Sequence, residues 1–172
     1  MARIQLITDR AQAVTDEQRE TFDWVVESRG RMIRPFEVLL HLPGVAREVA
    51  ELGAKIRFES TLSDHDRELV ILTAAHLHHC AFEWESHLPL ARAAGVRGEA
   101  IAAVQAGSAT GLTETEELLV GFVRELCAES TVSEGRFTAV RDYLGEAGVV
   151  QLSATVGYYT LLAMVMGVAD AC

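Results

Sequence analysis

The sequence has no basic stripe. Its 15 Lys and Arg are scattered singly against 25 Asp and Glu, for a formal net charge of −10. A nucleic-acid partner is therefore not expected, since such proteins neutralise phosphates with clustered cations. Cysteine is scarce too: Cys80, Cys127 and Cys172 are an odd number without framework spacing. That pattern predicts reduced thiols and a cytoplasmic protein, with Cys172 at a frayed terminus. The first residues, Met1 to Arg10, lack the long apolar core and small-residue cleavage site of a secretory signal. One run, Val149 to Ala169, carries no charge and is long enough to span a bilayer. Polar residues fill its first half and no Lys or Arg cluster follows it, so the expectation is a helix buried in the core or between subunits, not a membrane span.

Repeats and low-complexity segments are missing, and strand-like alternation is nearly absent. Only Ala106 to Leu112, with Gly107, Ser108 and Gly111, reads as a linker, and it is too short to separate domains. A chain of 172 residues, 49% hydrophobic and 23% charged, then reads as one globular domain over 1–172.

Helix signals fill the rest. Thr15 with Gln18 forms a capping box for a helix ending near Arg29, before Gly30. Pro35 opens a short helix, and Pro43-Gly44 interrupts the chain before an amphipathic stretch containing Val45, Val49, Leu52 and Ile56. Ser63 and Asp64 start a helix apolar nearly all round through Leu69, Val70, Ile71 and Leu72, which marks it as central. A further helix runs from about Cys80 to Ala94 and stops at Gly95. Thr113 with Glu116 caps another. Ser133 begins one that Gly145 and Gly148 end, and an apolar C-terminal helix follows. The fold expected is an all-α bundle of about seven or eight helices.

Four of the six histidines fall between positions 76 and 87. On a helix, Cys80, Glu83 and His87 lie along one stripe, so a thiol, a carboxylate and an imidazole share a face. A helix starting near Cys80 would favour its thiolate. His87, two turns on, would reach Cys80 through Glu83 or a water. His76 precedes Cys80 by one turn if the helix is unbroken, and His79 stands four before Glu83. Such spacings could hold a metal, but neither His-Glu-x-x-His nor Glu-x-x-His occurs, so none is expected. Phe82 and Trp84 read as core or pocket wall. Glu68, among apolar neighbours, needs a partner: Arg67 at the surface or His87 across a pocket.

This pattern resembles the alkylhydroperoxidase D-like proteins, which carry a glutamate, eleven residues, Cys-x-x-Cys, three residues and a histidine. Here Glu68 is followed by eleven residues and Cys80, with Glu83 and His87 in the next two positions. The flanks Arg67 to Leu72 and His87 to Val96 are similar to carboxymuconolactone decarboxylase-type sequences. The specific likeness covers about residues 60–100, with a weaker one near Val156-Gly157-Tyr158-Tyr159. It implies a cofactor-free enzyme that self-associates as a dimer, trimer or hexamer. Glu83 stands at the second-cysteine position, so a Cys-x-x-Cys cycle is chemically impossible here.

Three functions follow as expectations. The leading one is a single-cysteine peroxidase: Cys80 attacks a hydroperoxide, becomes a sulfenic acid, and is resolved by Cys127, Cys172 or a small thiol, with a Glu/His proton relay. The alternative is a cofactor-free decarboxylase, lyase or isomerase acting on a small organic acid or lactone. There Glu83, His87 and Glu68 move protons to a developing enolate and Cys80 only lines the pocket. The third is a non-catalytic assembly or ligand-binding protein.

Overall fold

The computed structural model describes residues 2–172. Eight α-helices and one short 3-10 turn (Arg10–Gln12) account for the regular structure of these residues, with no strand among them. They are α1 (Asp16–Arg29), α2 (Arg34–Leu39), α3 (Pro43–Phe58), α4 (Asp64–Leu77), α5 (Ala81–Ala93), α6 (Gly98–Gln105), α7 (Glu114–Glu129) and α8 (Glu134–Val168). Both capping boxes form: Thr15 accepts from the Gln18 amide and Thr113 from the Glu116 amide, each bond reciprocated by the partner side chain. Gly30 ends α1 with φ 78°, a left-handed conformation that costs a glycine little. Pro43 does not merely interrupt the chain; it stands in the first turn of α3, where no amide is needed.

The central helix is α4, which packs against α5, α6, α7 and α8. Its apolar run faces two ways because successive residues turn by about 100°. Val70 and Ile71 join the main core with Leu119, Phe122, Leu152 and Met166. Leu69 and Leu72 join a second core with Ala91, Ile101, Val104 and Val120. Sequence reasoning missed α6, which seals that second core with Ala100, Ile101 and Val104. It has no side-chain cap and only eight residues, so its local signal is faint.

Two further expectations are corrected. Gly145 alone breaks the last helix, with φ 73°, and α8 resumes directly after it. Gly148 is inside the helix, where a Cβ would lie 2.4 Å from Leu144 Cβ. By length and composition α8 could cross a membrane, but half of its apolar window is buried inside the fold. Nor is the C-terminus frayed. Ala169 and Ala171 are buried, and the Arg3 amide donates to the Ala169 carbonyl at 2.8 Å.

Candidate functional site

The site grows from the junction of α4 and α5. After Leu77 the chain leaves the helix, and His79 takes φ 52°. The Cys80 amide then returns to the Ala75 carbonyl at 2.9 Å. His78 Nε2 meets Thr160 Oγ1 of α8 at 2.8 Å, which fixes the turn against that helix. The stripe from His76 to Cys80 is thus broken. Cys80 is the N-cap of α5, with extended φ/ψ of −93° and 94°.

Glu83 and His87, one turn apart on α5, point inward and are 4% and 5% exposed. Glu68 of α4 is 3% exposed, and its Oε2 lies 2.7 Å from His87 Nδ1. Both partners considered for Glu68 are present, since Arg67 Nε is 3.5 Å from its other oxygen. An ionised carboxylate only accepts, so Nδ1 donates to Glu68 and the opposite nitrogen of His87 is left for chemistry. That nitrogen, Nε2, meets the Tyr159 hydroxyl at 3.2 Å and Glu83 Oε2 at 3.7 Å. Tyr159, on α8, sits edge-on to the imidazole with ring centroids 5.1 Å apart.

Burial shifts Glu83 and the two tyrosines. It raises the Glu83 pKa above the ordinary carboxylate range, opposed by the charges of His87 and Arg57. The same desolvation holds Tyr159 well above a normal phenol and pushes Tyr158 up to about 12. Tyr159 therefore stays a neutral O–H that can donate to Nε2.

These groups face a cavity of about 280 Å³, lined by Phe82, Glu83, His87, Tyr158 and Tyr159. Arg29 and Arg57 line it as well. Arg29 donates to the Ala50 carbonyl at 2.6 Å and lies over the Phe36 ring, while its buried Nε has no partner. The cavity thus combines acid–base groups with two cations. Tyr158 closes against α3 at Gly53, where a Cβ would come within 2.1 Å of its hydroxyl.

The sequence placed Cys80 with Glu83 and His87; the structure separates them. Cys80 is not among the residues lining that cavity, and its sulfur makes no hydrogen bond to the His87 network. It lines a second cavity of about 260 Å³ with His76, His79 and Trp84. Burial and the neighbouring charges of His79 and Arg124 lower the His76 pKa, which keeps that ring neutral. The expectation of reduced thiols also fails: Cys80 is bonded to Cys172, across a separation of 92 residues. The docked end of α8 brings them together, a proximity that no sequence spacing signals. Cys127 is free and half-buried. Among the described residues no group of three His, Cys, Asp or Glu side chains is arranged to hold a metal.

Sequence reasoning missed Arg29 and Arg57, which carry no local signal. Tyr159 was glimpsed only as part of a family-like stretch.

Residues 43–119, which include Glu68, Cys80, Glu83 and His87, match the model of the carboxymuconolactone decarboxylase family. Over that stretch the chain is similar to that family. No curated protein sequence matches this chain significantly. Solved structures do match its fold. An uncharacterised peroxidase-related protein from Ralstonia eutropha, with an alkylhydroperoxidase D core, superposes with a TM-score of 0.78 at 16% identity, over 99% of this chain and 91% of that one. A peroxidase-related protein from Silicibacter gives 0.74 at 13% identity, over 96% and 89%. A debrominase in its apo form gives 0.72 at 13% identity, over 99% and 91%. At these identities the likeness concerns the fold alone, so the chemistry of this chain rests on its own residues.

Proposed function

We propose that this protein is a cofactor-free acid–base enzyme of the decarboxylase or isomerase type, acting on a small organic acid or lactone. One observation carries the reading: His87 is held by buried Glu68 on one nitrogen and presents the other, beside Tyr159 and Glu83, to a cavity that Cys80 does not line. In such an arrangement Arg29 and Arg57 orient a substrate carboxylate or lactone carbonyl. His87 Nε2 removes a proton next to a carbonyl, and Glu68 steadies the imidazolium that forms. Glu83, whose carboxyl burial pushes above the ordinary range, returns a proton to the enolate, including the enolate left when CO₂ departs.

The test is a panel of small lactones and β-keto or unsaturated acids, assayed by carbon dioxide release and by solvent deuterium incorporation. Cys80→Ser keeps most of the activity, whereas His87→Ala and Glu83→Gln lose it. The opposite pattern overturns the assignment.

A peroxidase reading has one specific observation in its favour: Cys172 stands where a thiol must stand to resolve a Cys80 sulfenic acid. Mass spectrometry after mixing the reduced protein with a hydroperoxide decides it, because an unreactive Cys80 ends that reading. Self-association is also proposed. Exposed Val150, Leu161, Met164 and Val168 of α8 support it, and light scattering from a clean monomer at micromolar concentration counts against it.

A further inference from the structure

We propose that Cys80 and Cys172 form a redox-active pair that exchanges with low-molecular-weight thiols, a second activity at a site apart from the acid–base cavity. It holds whether or not that cavity transfers protons, and whether or not Cys80 attacks hydroperoxides.

The two bonded cysteines, 4.8 Å apart at Cα, differ in access and in electrostatics. Cys80 is 1% exposed, while Cys172 is exposed to solvent. Cys80 is the N-cap of α5 and so stands at the positive end of that helix. A thiolate is stabilised there, and a sulfur that leaves as a stable thiolate leaves faster. Access and leaving-group quality thus point the same way. The incoming thiolate attacks Cys172 Sγ, its own bond to that sulfur forms, and the bond to Cys80 breaks with the electron pair going to Cys80.

A second thiol then attacks the reductant's sulfur in the mixed disulfide. Cys172 leaves and takes up a proton, and the reductant departs as its own disulfide. Two thiols are oxidised to one disulfide, and the protein pair gains two electrons and two protons. Oxidised reductant runs the sequence backwards. Because Ala169 and Ala171 are buried, a freed Cys172 stays next to Cys80, which makes reclosure intramolecular. The bond also has a structural reach: it joins the start of α5, which carries Glu83 and His87, to the end of α8, which carries Tyr159.

The experiment uses the unmodified full-length protein, equilibrated in buffers of varied reduced-to-oxidised glutathione ratio. Samples are acid-quenched, alkylated and mapped by mass spectrometry, with circular dichroism recorded in parallel. Cys80 and Cys172 are expected to convert together and reversibly from disulfide to two thiols while the helical signal persists and Cys127 is alkylated throughout. A pair that stays bonded until the protein unfolds is a structural disulfide, and one that never closes at any ratio is no pair; either result overturns the proposal. Brief exposure to glutathione before quenching then tests the direction of attack. The adduct is expected on Cys172 in about tenfold excess over Cys80, following leaving-group preference. An excess on Cys80 overturns that order.

Discussion

Two cavities flank the first turn of α5, and they are built on opposite principles. The one holding Glu83 and His87 is a buried network centred on His87, in a cavity that two arginines also line. The one holding Cys80 is lined mainly by neutral side chains, and its chemistry lies in a bond to the far end of the chain. Only two residues separate Cys80 from Glu83. The difference arises because Cys80 is the cap and Glu83 is in the helix. Helical projection holds from Ala81 onwards, and the extended φ/ψ of Cys80 turn its side chain away from the stripe the sequence implies. A spacing that looks like one site can therefore serve two.

The largest effect expected is from His87→Ala. It should lower turnover by about 10²–10⁴-fold, the usual worth of a positioned acid–base group. It should also cost about 3 kcal/mol of stability, because Glu68 is left buried with only Arg67 nearby. Denaturant unfolding and the glutathione titration, run on the same variant, sharpen the comparison: the Cys80–Cys172 equilibrium should shift little. A large shift would mean that the two cavities are one coupled site.

Cys172→Ser comes next. Removing a cross-link over 92 residues should cost about 2–4 kcal/mol, mostly by releasing the unfolded chain. The same loss should appear in unmodified protein kept in reductant, and not at all between the reduced protein and the variant. Gly53→Ala tests the acid–base cavity alone. Its new Cβ displaces the Tyr158 hydroxyl, costing about 1–3 kcal/mol of overpacking and reducing turnover without altering glutathione exchange.

The smallest effect is a pH dependence. Burial raises the Glu83 pKa in the folded state above its unfolded value of 4.5. Its stabilising contribution is thus full below pH 4.5 and declines as pH rises through the folded value. The slope is at most about 1.4 kcal/mol per pH unit for one proton. Glu83→Gln should flatten that decline, measured as melting temperature against pH. An unchanged slope would place its carboxyl in contact with water.

The two regions also differ in how far they could be read beforehand. Glu68, Glu83 and His87 were legible because α4 and α5 are regular helices, with caps at Ser63 and Cys80 that set their register. A buried carboxylate beside an apolar run demands a partner, and His87 was one of two candidates. Tyr159, Arg29 and Arg57 were not assigned, because they come from α8, α1 and α3, and nothing in a local pattern says which helix faces which cavity. The eight-residue α6 also escaped notice, since so short a helix owes its existence to the core it covers.

By itself the sequence determined the all-α architecture, the central place of α4 and the carboxylate–imidazole spacing, all of which follow from helical periodicity and capping within about twenty residues. Tertiary structure alone decided which cavity each group joins and that Cys80 meets Cys172. Both depend on the path of α8 back across α4, and contacts between residues so distant in the chain are set by how whole helices pack.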